Sequence, residues 1–169
     1  MLDQYSRIID YIRISVTDRC NLRCIYCMPQ TRKTYLRQEE LLTYDEIVKL
    51  AGIYRSLGIK NVKLTGGEPL VREHIEELIF RLKKECGMGK VTLTTNGILL
   101  EQQLDGLVKA GLDGVNISLD TLNPEHYNSL TGGCHVDRNP SDGNLEAVLR
   151  GMRKAQKQAG ISVKVNCVL

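Results

Sequence analysis

Apolar and polar residues alternate with a period of two in five short stretches: Tyr11 to Thr17, Asn61 to Thr65, Lys90 to Thr95, Gly114 to Leu119 and Ser162 to Val168. This is the pattern of half-buried β-strands. Between them, apolar residues recur at helical spacing. Ile47, Leu50, Ala51 and Tyr54 make one stripe, opened by a capping-box pattern from Thr43 to Glu46. Ile75, Leu78, Ile79 and Leu82 make a second, and Leu100, Leu104, Leu107 and Val108 a third that ends at Gly111. Leu145, Val148, Leu149 and Met152 make a fourth, ending near Gly160. Five strands alternating with four helices predict one α/β domain of parallel βα repeats joined by right-handed crossovers.

The two faces of these strands differ. Ile12, Ile14 and Val16, Val62 and Leu64, Val91 and Leu93, Val115, Ile117 and Leu119, and Val163 and Val165 share one parity and are expected under the helices. The other parity carries Arg13, Ser15 and Thr17, Lys63 and Thr65, Thr92 and Thr94, Asn116 and Ser118, and Lys164 and Asn166. An ordinary closed barrel fills that face with branched apolar side chains. Parallel sheets rarely leave a face wet, so a polar, hydrogen-bonding ligand is expected there; a plainly wet face is the alternative.

Composition adds mainly exclusions. The 169 residues hold 25% charged and 42% hydrophobic residues, as an ordinary folded domain does. A net charge of +3 does not by itself imply nucleic acid. No apolar run approaches the roughly 18 residues needed to span a bilayer, and MLDQYSRIIDYIR lacks the apolar stretch of a secretory signal. Membrane and export readings are set aside, and a cytoplasmic, reducing setting is expected. Disulfides among the six cysteines are then not expected.

Cys20, Cys24 and Cys27 form a C-x3-C-x2-C arrangement at the carboxyl end of the first strand, where α/β folds place their sites. Three thiolates so close can wrap one soft metal centre. Structural zinc wants a fourth ligand, for which Cys134 and His135 are the adjacent candidates, and no second C-x2-C exists. A four-iron cubane held by three cysteines would leave one iron open to a ligand, since fully ligated clusters take four thiolates.

With Tyr26 just before the last cysteine, this loop resembles that of the radical S-adenosylmethionine superfamily. Thr65-Gly66-Gly67-Glu68-Pro69 follows the second strand, where that superfamily has its glycine-rich methionine-binding turn. More closely, "YIRISVTDRCNLRCIYCMP", "KLTGGEPLVR", "LTTNGILL", "VNISLDTL" and "VKVN" resemble the GTP 3′,8-cyclase family, which takes the first step of molybdenum cofactor biosynthesis. The resemblance runs from about Asp10 to the last residue. It implies a partial TIM-like barrel, a 4Fe-4S cluster and S-adenosylmethionine bound to its open iron. It also implies a 5′-deoxyadenosyl radical that takes hydrogen from C3′ of GTP, so that carbon attacks C8 and gives 3′,8-cyclo-7,8-dihydro-GTP. An electron donor of flavodoxin or ferredoxin type is an implied partner.

Position by position, the resemblance gives Cys20, Cys24 and Cys27 as cluster ligands, and Tyr26, Gly67 and Ser118 as contacts of S-adenosylmethionine. Gly66-Gly67 is expected to let backbone approach the methionine amine. Arg13, Lys63, Thr94 and Lys164 match the positions that hold GTP, and all four lie on the polar strand face. Lys63 stands where the family leads one to expect arginine, which puts a point charge in place of a bidentate fork. Arg19 and Arg23 are expected to stabilise an anionic cluster or substrate, while Arg32, Lys33 and Arg37 read equally as a solvated basic loop. Cys86 continues the second helical stripe and is expected in the core, Cys167 is expected to pack under a helix, Cys134 has no motif, and Asn96-Gly97 reads first as a turn and second as a ligand contact. His74 and His126 are expected at the surface.

The family continues beyond the fifth strand into a region with a second iron–sulfur cluster. Residues 1–169 are therefore expected to be a radical S-adenosylmethionine core truncated within that strand, poorly stable or self-associating as a homo-oligomer. Two alternatives stay open: a radical enzyme acting on another substrate such as a peptide, and a non-catalytic iron–sulfur or zinc module.

Overall fold

A computed structural model describes residues 3–27, 34–132 and 144–168. Cys134, His135, Arg32 and Lys33 lie outside the described residues. Five parallel strands, β1 (Tyr11–Ser15), β2 (Asn61–Thr65), β3 (Lys90–Thr95), β4 (Gly114–Ser118) and β5 (Ser162–Asn166), stand in the sheet in chain order. Sheet order equal to chain order means that every right-handed crossover lands on the same face. The helices α1 (Tyr44–Ser56), α2 (Ile75–Lys84), α3 (Leu100–Ala110) and α5 (Asn144–Gln156) follow that rule, packing α1 on α2, α2 on α3 and α3 on α5. The result is part of a barrel rather than a doubly wound sheet.

The alternating parity sets what is buried. Val62, Leu64, Val91, Leu93, Val115 and Ile117 are buried under the helices against Ile47, Leu78, Ile79, Leu104, Leu107 and Val148. Each fully buried leucine contributes about 1.5–3 kcal/mol. Thr43 caps α1 as its spacing predicts: its hydroxyl accepts from Glu46 N (3.3 Å), while Glu46 Oε2 accepts from Thr43 N (2.7 Å).

Several expectations are corrected. Leu50 and Tyr54 of α1 are more than 40% exposed, because only the Ile47–Ala51 side of that helix meets the core. Val165 and Cys167 are exposed rather than packed under a helix. Thr17 has the polar parity but is buried beneath the turn that follows β2. Cys86 is half-buried against the core, with its thiol 3.4 Å from the Val48 carbonyl. His74 and His126 are exposed, as expected.

A fifth helix, α4 (Pro124–Thr131), was not foreseen. Asn123 caps it by accepting from His126 N (3.0 Å), and Pro124 opens its first turn. It buries only Tyr127 and Thr131, which is too little to make an apolar stripe. Its last carbonyls nevertheless seat the cysteine loop: Arg23 N donates to Thr131 O (3.0 Å) and Ile25 N to Leu130 O (2.9 Å). Carbonyls that end a helix without partners are thereby satisfied by the segment that carries the chemistry.

Candidate functional site

The cysteine loop leaves the carboxyl end of β1 and meets the turn after β2. Gly67 N donates to Thr17 O (2.7 Å) and Glu68 N to Arg19 O (2.8 Å), so the turn lies directly on the start of the loop. A Cβ on Gly67 would run into the Arg19 carbonyl and stand 2.9 Å from that of Asp18. The expectation that the missing Cβ leaves room for a ligand amine is thus modified: the chain's own backbone occupies that space.

Cys20, Cys24 and Cys27 line one cavity of about 240 Å³ together with Ser15, Thr17, Asp18, Leu22, Gly66 and Gly67. Burial pushes the Cys20 thiol up, with Glu68 and Cys27 adding to it while Leu22 N and Arg23 oppose it. Burial also raises Cys24, and Cys20 adds to that. Three thiolates here repel one another, and a cationic centre among them relieves that repulsion. The donors are all sulfur, which suits an iron–sulfur centre. Asp18, on the same wall, keeps Oδ1 buried without a hydrogen-bond partner. The residues present therefore fit such a group. Among the described residues no three Cys, His, Asp or Glu side chains close on a single-ion site.

Arg23 lies beside the thiols as expected, but its Nη1 donates to the carbonyls of Cys20 (2.7 Å) and Leu22 (2.8 Å). Arg19 does not join it; it lines a separate cavity with Thr43, Tyr44 and Arg72. Arg37 is exposed and paired with Glu39 and Glu40.

Tyr26 and Ser118 line a small space adjoining Cys24, with Asn96 and Asp120. The Tyr26 hydroxyl donates to Asp120 Oδ2 (2.6 Å). Asn96, read from sequence as a turn residue, links three parts of the site. Its amide N donates to Glu68 Oε2 (2.7 Å), and its Nδ2 donates to Asn21 Oδ1 (2.7 Å) and lies 4.0 Å from Cys20 Sγ. Glu68 is 1% exposed and also accepts from Leu70 N (3.0 Å) and Thr95 Oγ1 (2.8 Å). Burial pushes its carboxyl up to about 7, against those three hydrogen bonds. Sequence reasoning missed Glu68 and Asp120, and it gave Asn96 a place in the site only as a second reading after a turn. The one available signal was an acid between Gly67 and Leu70 in an otherwise apolar turn.

The remaining predicted residues lie on the helix-free face. Arg13 pairs in register with Lys63 and Lys63 with Thr92; one step along, Thr94 pairs with Asn116 and Asn116 with Lys164. Burial lowers the Lys63 ammonium, and repulsion from Arg13 and Lys164 lowers it further. None of these three cations forms an ion pair among the described residues.

A family model described as the Radical SAM superfamily matches residues 14–169. The chain belongs to the radical SAM superfamily. This membership carries with it an iron–sulfur cluster and S-adenosylmethionine. Over 169 residues the chain is 44% identical to the GTP 3′,8-cyclase of Petrotoga mobilis, covering 100% of this chain and 50% of that protein. It is 46% identical over 169 residues to the GTP 3′,8-cyclase of Peptoclostridium acidaminophilum, covering 100% of this chain and 49% of that protein. The chain thus spans about half the length of these relatives. Among solved structures, methylornithine synthase superposes with a TM-score of 0.68 at 21% identity, over 93% of this chain and 44% of that one. At that identity the likeness concerns the fold alone, a partial α/β barrel of the radical SAM kind.

Proposed function

We propose that residues 1–169 are the radical SAM core of a GTP 3′,8-cyclase acting in molybdenum cofactor biosynthesis. The observation that carries this reading is the placement of three cations with no acid partner among the described residues, Arg13, Lys63 and Lys164, on the helix-free face of the sheet whose carboxyl end carries the thiol cavity. The names of the relatives support it, and the triphosphate of GTP is the kind of polyanion such a face holds.

In this reading Cys20, Cys24 and Cys27 would hold a 4Fe-4S cluster in the cavity they line. When bound, the cluster and S-adenosylmethionine would supply the radical chemistry that removes hydrogen from C3′ of GTP. The chain orients and shields. Gly67 keeps the turn tight on the cysteine loop, while Tyr26 and Ser118 flank the space beside Cys24 where S-adenosylmethionine reaches. Arg13, Lys63 and Lys164 bind phosphate oxygens, and Thr94 offers a hydroxyl on the same face. The reductant is a one-electron donor of flavodoxin or ferredoxin type, and the compartment is the reducing cytoplasm, in which Cys86 and Cys167 persist as thiols and the three loop cysteines stay available to the cluster. No helix among the described residues is long and apolar enough to cross a membrane. Leu50, Ile53, Tyr54 and Leu57, each more than 40% exposed along one side of α1 and its end, support self-association.

The test is electron paramagnetic resonance on the anaerobically reconstituted, reduced chain, with calorimetric titration of GTP. The expected result is a reduced-cluster signal that shifts on adding S-adenosylmethionine, with GTP binding weakened about tenfold by Lys164→Ala. A signal that ignores S-adenosylmethionine, or GTP binding indifferent to Lys164→Ala, overturns the reading.

A further inference from the structure

Asp120 lies two residues beyond Ser118, just past the end of β4. Its Oδ2 accepts from the Tyr26 hydroxyl at 2.6 Å and its Oδ1 from Val168 N at 2.9 Å, while its carbonyl receives the Cys167 thiol at 3.5 Å. Tyr26 sits between Cys24 and Cys27 in the cysteine loop, and it lines one small space together with Cys24 and Asp120. A carboxylate 94 positions away in sequence therefore holds the Tyr26 hydroxyl beside the space that a ligand thiol also lines.

A phenol has a single proton to donate. Given a carboxylate oxygen at 2.6 Å and a sulfur, it goes to the carboxylate, because a charge-assisted O–H···O⁻ bond is the stronger one. We propose that Asp120 is a positioning residue for the cysteine loop, holding the Tyr26 proton away from the Cys24 sulfur and the loop in the shape that presents its three thiols. The inference rests on the radical SAM reading of this site. Hydrogen bonds to a ligating sulfur draw electron density from it and help set a cluster's reduction potential. Without Asp120, the Tyr26 proton turns to Cys24 and the cluster becomes easier to reduce. Loss of the carboxylate charge acts in the same direction, so a test must separate the two.

Two measurements on the full chain do so. The first is the cluster's reduction potential in the parent, Asp120→Ala, Asp120→Asn, Tyr26→Phe and the Asp120→Ala/Tyr26→Phe double variant. Asp120→Asn removes the charge but keeps one acceptor oxygen for the phenol. The expected result is a less negative potential in Asp120→Ala than in Asp120→Asn, and a smaller effect of Asp120→Ala in the Tyr26→Phe background than alone. Equal effects of Asp120→Ala in both backgrounds overturn the proposal, because the carboxylate then acts only as a charge.

The second measurement uses the metal-free chain and does not depend on the cluster. The amides of Arg23, Ile25 and Cys27 are hydrogen-bonded to Thr131, Leu130 and Cys24, so their hydrogen exchange reports how firmly the loop is held. Asp120→Ala and Tyr26→Phe are each expected to speed exchange of residues 23–27 about tenfold, with the double variant no faster. Tyr26→Phe carries this readout alone if Asp120→Ala does not fold. Unchanged exchange in both single variants overturns the positioning role whatever metal the site takes. A parent chain that binds no iron but shows the expected exchange pattern removes the radical SAM reading of the site and leaves the positioning role standing.

Discussion

Gly67 shows how a single missing atom can organise the site. The turn after β2 touches the cysteine loop through two backbone hydrogen bonds, at 2.7 Å and 2.8 Å, and the space a Cβ would fill is held by the carbonyls of Asp18 and Arg19. Backbone cannot swing aside as a flexible side chain can. Gly67→Ala must therefore push the start of the cysteine loop outward or break the pair of bonds. It is expected to cost about 1–3 kcal/mol of stability and to lower the iron retained per chain after reconstitution. The urea midpoint and the iron content check this together. Both staying at parental values would mean that the contact is softer than its geometry implies. Asp120 and Tyr26 make a comparable single-bond link, but one between residues 94 positions apart. No local pattern exposes such a link, which is why sequence reading found Tyr26 and not its partner.

Among elements, the consequential joint is the one Glu68 makes between the turn after β2 and the end of β3. Its carboxylate accepts from Leu70 N, Thr95 Oγ1 and Asn96 N while it is 1% exposed. Burial wins over those bonds and holds its carboxyl near 7, above its ordinary 4.5. The folded chain then binds this proton more tightly than the unfolded chain does. Its contribution to stability is complete below about pH 4.5 and is lost as pH rises through 7, by an amount on the order of 3 kcal/mol. Glu68→Gln should remove that slope. It should also lower stability by about 1–3 kcal/mol throughout, because its amide offers Asn96 N a donor in place of an acceptor. Urea unfolding at pH 5 and pH 7.5 for both proteins tests this, and an equal pH slope in the two would refute it. The strands were legible from sequence because period-two alternation reports which side of each strand is covered, and every strand starts at its expected residue. The helix α4 was not, because it buries only two residues and is held by its ends. The two sides of α1 were merged into one stripe, since spacing tells that a helix has an apolar side but not how far the core reaches around it.

At the scale of the molecule, one topological fact organises the chemistry: sheet order follows chain order, so the helices crowd one face and leave the other to polar side chains. The +3 net charge of the chain is small, yet Arg13, Lys63 and Lys164 sit on neighbouring strands close enough for the first and last to depress the Lys63 ammonium. An arrangement that costs electrostatic energy in the free protein is relieved when an anion binds, so GTP affinity should fall as salt screens the site. Charge alone would make any cation at position 63 equivalent. A guanidinium instead offers a planar fork to two phosphate oxygens, whereas an ammonium acts as a point charge. Lys63→Arg is therefore expected to tighten GTP binding by about 3- to 10-fold at fixed salt, with guanosine binding unchanged in the same variant. Isothermal titration with GTP and guanosine at low and moderate salt separates phosphate recognition from base recognition. If GTP and guanosine bind the parent alike, or if Lys63→Arg moves both together, these cations do not hold the triphosphate and the helix-free face serves some other polar ligand.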